Sequence, residues 1–140
     1  MNQAALAKNM VKQYNISAAS NIPRSPGVDL GSRKDGEPGG NEEFSKYRAL
    51  VGSIMWLSVM TSPDIANVLR ACSRHRHNPS SRHWKALLQV ASYVNATKEI
   101  GYRFVRGSGL RLYVYAEYVD NTVASRDRRS VSGVAVVLGD

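Results

Sequence analysis

The sequence contains a single cysteine, Cys72, among its 140 residues. One thiol cannot form an internal disulfide, and it cannot supply the several ligands of a cysteine-rich zinc site. The composition therefore fits a reducing compartment. We expect Cys72 itself to be a small, buried apolar residue.

The sequence also lacks long apolar runs. None reaches the roughly 18 residues that a membrane span requires, and the start of the chain has no basic, apolar and small-residue pattern typical of a signal peptide. We therefore expect an intracellular protein, cytoplasmic or nuclear, that is not secreted and has no membrane partner.

Two kinds of catalytic motif are missing as well. There is no G-x-S-x-G turn for a nucleophilic serine, and no glycine-rich loop precedes a helix to hold a phosphate. His75, His77 and His83 have neither a nearby carboxylate nor the i, i+4 spacing of helical metal ligands. The sequence thus gives no indication of a serine hydrolase, a nucleotide-binding loop or a histidine metal site.

What the sequence does have is positive charge. Nineteen Lys and Arg residues against eleven Asp and Glu residues give a formal net charge of +8. Such an excess favours a polyanionic partner, either nucleic acid or an anionic membrane surface. With 43% hydrophobic residues, the chain is long enough for one domain or for two incomplete pieces of larger domains.

The periodicity of the first half is helical. Leu6, Met10 and Tyr14 form one stripe of a short helix, which a Pro-, Gly- and Ser-rich stretch, SNIPRSPGVDLGSRKDGEPGGN, separates from the rest. We expect this stretch to be a linker, and the first helix to pack elsewhere or hang loosely. EEFSKYRALVGSIMWLSVM is apolar on nearly all sides and predicts a central, well-buried helix.

Two further helices follow with short connections. Ser62 can cap the first of them, with Pro63 in its first turn, and Ser80 can cap the second after Pro79 has ended the preceding helix. Their apolar residues recur at three- and four-residue steps. The three helices therefore predict an antiparallel bundle.

After Thr97 the pattern alternates as in strands. GYRFVRG and LRLYVYAEY flank a short glycine-bearing connection that suits a hairpin, and SGVAVVLGD predicts one more strand. The continuous apolar character of the last strand indicates that both of its faces are to be covered. The predicted fold class is α+β, with an N-terminal helix, a long linker, a helical bundle and an incomplete antiparallel sheet of about three strands.

Basic residues are concentrated where the second bundle helix ends and the third begins. One interpretation is a solvated helical face, with cations placed favourably near a helix C-terminus. The other is a surface that contacts phosphates, because clustered guanidinium groups neutralise backbone charge and release counterions. The composition alone leaves both open for Arg70, Arg74, Arg76, Arg82 and Lys85.

One carboxylate, Glu117, lies near the end of a predicted strand, on the same face as Tyr113 and Tyr115. A single carboxylate there is usually just a solvated residue. It becomes a metal ligand only if other carboxylates converge on it, since two-metal phosphodiester hydrolysis needs several acidic ligands. Asp120 and Asp127 are near in sequence but belong to the predicted loop.

Taken together, these motifs resemble a known family. The ordered series YRALVGSIMWLS, TSPDIANVL, CSRHRHNPSSRHWKALLQVASYVNATKEIGYRF, LYVYAE and DRRSVSGVAVVLG is similar to the Pol polyprotein of copia-type LTR retrotransposons, in the segment that joins the reverse transcriptase to its ribonuclease H domain. ALAKNMVKQYNISAASNIPRSPG resembles the stretch just before it, so the likeness covers nearly the whole chain.

The resemblance implies specific roles. The helices between Tyr47 and Val94 would correspond to the thumb and connection, which grip the primer–template duplex by its backbone. LYVYAEY would be the first ribonuclease H strand, with Glu117 at the position of the first catalytic aspartate and first Mg²⁺ ligand. The polymerase Tyr-any-Asp-Asp motif and the other ribonuclease H carboxylates are absent, so we expect Mg²⁺ for the intact family enzyme and no cofactor in this fragment.

The chain departs from the family at several positions. Glu117 replaces an aspartate, the 118–127 loop is one residue longer than usual, and Ser62 stands where the family usually has arginine. These changes indicate a decaying copy. The leading hypothesis is an incomplete fragment that is inactive alone and, because of its charged helix junction, retains backbone binding to duplex or RNA–DNA hybrid. The alternatives are a segment of an active polyprotein and a decayed product without function. A further expected partner is the remainder of a Pol polyprotein.

The expected segments are a helix over 1–18, a flexible linker over 19–43, a thumb- or connection-like helical segment over 44–98 and a truncated ribonuclease H-like sheet over 99–140.

Overall fold

The computed structural model of the chain describes residues 2–34, 41–103, 105–107, 111–119 and 131–138. The chain divides into two compact units, Met1–Arg103 and Phe104–Asp140. The first unit contains four α-helices, and the second contains a two-stranded sheet. The expected α+β class with an incomplete sheet is therefore confirmed.

The first helix, α1, spans Ala4–Gln13 and packs against the helices of the same unit. Its apolar stripe buries Ala7 and Met10, and Leu6 and Tyr14 pack on the same core. Asn15 then adopts a left-handed backbone with φ 51°, which turns the chain sharply. The expectation that α1 packs elsewhere or hangs loosely is wrong, because its apolar stripe is one wall of the core.

The second helix, α2, spans Asn41–Met60. Its buried side carries Tyr47, Leu50, Ile54 and Leu57, whereas Val59 on another side is 73% exposed. The expectation of burial on nearly all sides is wrong for a geometric reason. A helix in a four-helix unit meets its neighbours over part of its circumference, and Met55, Trp56 and Val59 point away from that part.

A one-turn 3-10 helix at Pro63–Ile65 runs into α3, Ala66–Ser73, and α4 spans Ser81–Thr97. The predicted cap at Ser80 is confirmed, since Ser80 forms a capping box with His83. The predicted cap at Ser62 is not formed by its side chain; its main-chain N–H instead donates to Leu57 O at 2.9 Å.

The helices share one core, in which Tyr47 and Cys72 join α2 to α3. Tyr47 Oη donates a hydrogen bond of 2.9 Å to the main-chain oxygen of Cys72. Both residues are fully buried, which confirms the expected burial of Cys72. Burial raises the pKa of the Cys72 thiol to about 11, so the sulfur is a packing group rather than a reactive thiolate.

The segment after α1 lies along α4. Its hydrogen bonds advance from the end of α4 to its beginning: Asn95 donates to Ala18 O, Ser20 N–H to Ser92 O, and Ser25 to Gln89. We call residues 18–34 the strap. The expected domain boundaries stay predictions, but residues 19–34 of the expected linker form hydrogen bonds to α4 at several positions.

The sheet of the second unit consists of β1, Leu112–Val119, and β2, Val131–Leu138. The strands are antiparallel, and the register runs from Leu112 opposite Leu138 to Val119 opposite Val131. The expected strand in GYRFVRG is not seen at 101–103 and 105–107, and Gly107 lies in a turn with φ 84°. A short alternation shows which residues would share a face, but a strand also needs a partner beside it.

Substitutions on the two sides of α2 should have unequal effects. Ile54→Ala removes a fully buried side chain and should lower the free energy of unfolding by about 2–5 kcal/mol. Val59→Ala, on the exposed side, should change it by less than about 0.5 kcal/mol. Urea unfolding followed by circular dichroism measures both, and equal losses would contradict this assignment of the core face.

Candidate nucleic-acid interface

The predicted basic residues surround the turn between α3 and α4. Three main-chain hydrogen bonds close this turn, from His75 to Cys72 O, from Arg76 to Ser73 O and from Asn78 to His75 O. Pro79 is buried behind the turn, and α4 starts two residues later. The compact turn therefore places Arg74 and Arg76 at the surface between the two helix ends.

Four of the five predicted cations are exposed. Arg70 and Arg74 are one helical turn apart at the end of α3, and the Arg70 guanidinium donates to Asn67 Oδ1 at 3.2 Å. Arg76 lies in the turn, and Lys85 lies one turn into α4. These residues form the basic surface of the α3–α4 turn: Arg70, Arg74, Arg76 and Lys85.

Arg82 has a different role, because its guanidinium is bonded to the strap. Nη1 donates to Asp29 Oδ2 at 2.9 Å, and Nη2 donates to Gly31 O at 3.2 Å and Ser32 O at 2.5 Å. The side chain is 20% exposed. Arg82 thus binds three residues of the strap at the start of α4, and its donors are directed into the protein.

Asp29 completes this anchor. Its Oδ1 accepts the Gly31 N–H at 2.8 Å, and its Oδ2 accepts Arg82. The Gly31 hydrogen bond, followed by Arg82 and Lys34, lowers the pKa of the Asp29 carboxyl. The carboxylate therefore stays charged through the neutral range and well into mild acid.

The strap brings two further cations to this surface, Arg33 and Lys34. Arg33 Nη1 donates to Asn78 Oδ1 at 3.0 Å, so the end of the strap lies against the α3–α4 turn. Lys34 is exposed beside it. In the sequence both residues belong to the expected linker. The only sequence feature that could have indicated their place in the basic surface is the Arg33-Lys34 pair itself, because about forty positions separate it from the α3–α4 turn.

His83 lies beneath the same surface and is fully buried. Its Nδ1 accepts the Ser80 main-chain N–H at 3.0 Å, and its Nε2 is 3.0 Å from Gly31 O. The His75 ring stacks on it with a centroid distance of 4.6 Å. Burial, and then the proximity of His75, lower the pKa of His83.

Another cationic surface lies at the opposite end of α4. Lys8, Lys12 and Lys98 line a cavity of about 450 Å³ between α1 and the end of α4. Here Lys8 pairs with Glu99 at 3.2 Å, and Lys98 donates to Asn95 Oδ1 at 2.8 Å. Since α4 has 17 residues, this surface is about 25 Å from the α3–α4 turn along the helix.

Glu117 is exposed on β1, opposite Gly133. It is the one acidic residue that the structure describes in the second unit; Asp120 and Asp127 fall outside the described residues. Within the described ranges no three His, Cys, Asp or Glu side chains are grouped as metal ligands. The carboxylates described here do not fit a two-Mg²⁺ site, which needs several converging oxygen ligands.

Three known proteins match this chain, and two of them are described here. The chain is 36% identical over 87 residues to "Secreted RxLR effector protein 161" of Plasmopara viticola, covering 62% of this chain and 61% of that protein. It is 38% identical over 61 residues to "Retrovirus-related Pol polyprotein from transposon TNT 1-94" of Nicotiana tabacum, covering 44% of this chain and 5% of that protein. Part of the chain is therefore related to a retrotransposon Pol polyprotein.

The chain spans less than two thirds of the length of both relatives. No family model and no solved structure matches it. The expectation that the protein is not secreted stays a prediction, and the secreted relative bears against it. In the described part of the chain, no helix combines the length and apolarity needed to cross a bilayer.

Replacing Arg82 tests whether it anchors the strap. Arg82→Lys keeps the positive charge but loses the planar fork that reaches Asp29, Gly31 and Ser32 together. We expect the free energy of unfolding to fall by about 1–3 kcal/mol, and amide hydrogen exchange to rise across residues 25–34. Arg76→Lys, at an exposed position, is the matched control and should do neither; similar effects of the two variants would contradict the anchor.

Proposed function

We propose that this chain is an incomplete segment of a copia-type retrotransposon Pol polyprotein, from the region that joins the reverse transcriptase to ribonuclease H. On its own it catalyses neither polymerisation nor RNA cleavage, and it binds the backbone of duplex or RNA–DNA hybrid. The observation that carries this origin is the 38% identity to the tobacco Pol polyprotein. The five family-like motifs in their order extend the resemblance over nearly the whole chain.

The binding would be electrostatic and tolerant of sequence. Arg70, Arg74, Arg76 and Lys85 present charge around one turn, and the strap adds Arg33 and Lys34. Each cation that neutralises a phosphate releases condensed counterions, which makes binding favourable without contacts to base edges. Arg82 contributes indirectly, because it fixes the strap that carries two of these charges.

The proposed lack of catalysis follows from the carboxylates. Hydrolysis by the two-metal mechanism requires cations held about 3.5–4 Å apart by several acidic ligands. Glu117 is a single candidate, and its side chain is one methylene longer than the aspartate expected at that position. A displaced ligand oxygen is poorly tolerated in such a site.

A second candidate function comes from the other relative. Identity of 36% over 87 residues to a secreted effector favours a role outside the producing cell. Locating the epitope-tagged protein after expression in its source cells separates the two proposals. Accumulation in the culture medium would support the effector-like role, whereas retention in the cell would support the Pol-derived one.

A third possibility is that the chain belongs to an active polyprotein. The adjacent reading frame distinguishes this case directly. An intact upstream Tyr-any-Asp-Asp motif and downstream acidic ligands would favour an active polyprotein, with Glu117 as a working Mg²⁺ ligand there. Stop codons or frameshifts on either side would favour a decayed copy.

Salt dependence tests the binding surface. The affinity of the full chain for an RNA–DNA hybrid should fall with salt. Arg76→Gln combined with Lys85→Gln should reduce the slope of log K against log[salt] by about 1.8, because two phosphates are no longer neutralised. The matched control is Lys8→Gln with Lys12→Gln, two residues of α1 that lie beside the far end of α4. Fluorescence anisotropy at several salt concentrations measures the slopes.

Two results would contradict this assignment. An affinity that does not change with ionic strength would exclude phosphate neutralisation altogether. Equal slope changes in the two double variants would mean that binding is spread over the whole positive protein rather than centred on the α3–α4 turn.

The absence of nuclease activity is separately testable. A labelled RNA–DNA hybrid incubated with the purified chain and Mg²⁺ should remain intact, because one carboxylate cannot hold two metal ions. The variant Glu117→Gln is the control for contaminating nucleases. Cleavage by the wild-type chain that disappears in Glu117→Gln would overturn the proposal.

A further inference from the structure

One side of α2 is exposed from Ser45 to Val59. The exposed residues recur at steps of three and four, so they form a single stripe along the helix. We call it the α2 stripe: Ser45, Arg48, Ala49, Gly52, Met55, Trp56 and Val59. Its second half is large and apolar, and Trp56 is 56% exposed. Large apolar side chains grouped on a surface are typical of an interaction site.

Gly52 lies at the middle of the α2 stripe. Glycine inside a helix is destabilising relative to alanine, so its position there needs a reason. Among the described residues, a Cβ added at Gly52 would meet nothing within 4 Å. The fold of one copy therefore does not require glycine here. An exposed helix face without a side chain does, however, allow the backbone of a second helix to come close.

A cavity of about 410 Å³ adjoins the first half of the α2 stripe, between α1 and α2. Ser45 and Ala49 line one side of it, and Tyr14 and Trp84 form an aromatic wall with ring centroids 6.5 Å apart. Tyr14 Oη donates to Lys46 O at 3.4 Å, which links the end of α1 to α2 beside this α1–α2 cavity. Small and aromatic lining residues suit a large apolar side chain.

Trp56 and the α1–α2 cavity are related by position to Gly52. At 100° per residue, Trp56 lies about 40° and Ala49 about 60° to the same side of Gly52. Along the helix axis, Trp56 is about 6 Å beyond Gly52 and Ala49 is about 4.5 Å before it. A two-fold axis beside Gly52 that makes two α2 helices antiparallel therefore brings Trp56 of each copy over Ala49 and the cavity of the other.

The rest of the α2 stripe is also self-complementary in the antiparallel arrangement. Gly52 faces Gly52 of the second copy at the axis, so the two backbones can approach closely. Ser45, which is small, faces Val59, and the aliphatic stem of Arg48 lies along Met55 with its guanidinium in water. A parallel arrangement would place the large halves of the two stripes against each other and would leave both cavities empty.

We propose that this chain forms a symmetric dimer through the α2 stripe: the two α2 helices meet antiparallel at Gly52, and Trp56 of each copy inserts into the α1–α2 cavity of the other. The interface is isologous, so each contact occurs twice. The dimer uses residues of the first unit and does not depend on the function proposed above.

The dimer should be weak. A helix face about 21 Å long and about 10 Å wide covers much less than the roughly 800 Å² per partner of a standard interface. The formal net charge of +8 on each copy also opposes association. Salt screens this repulsion, so the dimer should tighten as the salt concentration rises, whereas phosphate binding weakens.

Sedimentation velocity of the full chain, from roughly 1 µM to roughly 300 µM, measures the monomer–dimer equilibrium of such a weak interface. Trp56→Ala removes the central anchor and should raise the dissociation constant by more than about tenfold. Ile22→Ala, which shortens an exposed apolar side chain on the strap, is the matched control and should leave the dissociation constant unchanged.

Gly52→Leu separates the dimer from the stability of the single copy. Leucine is a better helix former than glycine, and the added side chain has free space in one copy, so the melting temperature of the dilute chain should rise. The dissociation constant should rise as well, because two leucines would meet at the axis. A general loss of structure cannot produce a higher melting temperature together with a weaker dimer.

Oxidative crosslinking tests the antiparallel orientation. In Gly52→Cys the two new thiols lie at the axis, within the roughly 4.4–6.8 Å between Cα atoms that a disulfide requires, and should crosslink. In Val59→Cys they would be about 21 Å apart along the helices and should not. Cys72 is buried and does not take part. Non-reducing gel electrophoresis measures both variants.

The dimer is refuted by a chain that stays monomeric over the whole concentration range. It is also refuted by self-association that Trp56→Ala and Gly52→Leu leave unchanged, which would assign the association to another surface. Equal crosslinking of Gly52→Cys and Val59→Cys would contradict the antiparallel two-fold. A monomeric chain that loses affinity for an RNA–DNA hybrid in Trp56→Ala would instead place the α2 stripe in the nucleic-acid interface.

Discussion

The surface of the first unit depends on how the start of α4 holds the strap. Ordering a chain segment costs about 1–2 kcal/mol of conformational entropy per residue, and the strap has only Leu30 as a buried apolar side chain. Apolar burial alone therefore does not account for its order. Arg82 and His83, adjacent in sequence, bind Asp29, Gly31 and Ser32, and these polar contacts position everything that the strap carries.

The features that the sequence predicts well are those that depend on neighbouring residues and not on distant contacts such as these. The helices and the β1–β2 strands are predictable because their signals are local: apolar residues at steps of three and four, and alternation at steps of two. The cap at Ser80 and the burial of Cys72 follow from equally local patterns. The exposure of one side of α2 is not predictable in this way. The sequence shows that the residues on that side are apolar, but it does not show which of them a neighbouring helix covers.

The strap escapes prediction for a different reason. Its partners are 45 to 77 positions away, and many of the contacts use main-chain oxygens whose direction no sequence pattern encodes. Proline and glycine correctly indicate the absence of regular structure there, but irregular structure can still be bonded throughout. The same limit applies to the candidate interface: the cluster near α4 is visible in the sequence, whereas Arg33 and Lys34 join it only through the folded strap.

Helix electrostatics separates the two interpretations of the basic cluster residue by residue. Arg70 and Arg74 are at the C-terminal end of α3, where a cation stabilises the helix by about 0.3–1 kcal/mol. At the N-terminal end of α4 the same dipole opposes a cation, and α4 has no acidic residue in its first turn. Arg82 offsets that cost through Asp29 and the strap carbonyls. Lys85, one turn into α4, and Arg76, beyond the end of α3, lie outside both of these effects, so helix electrostatics leaves both interpretations open for these two cations.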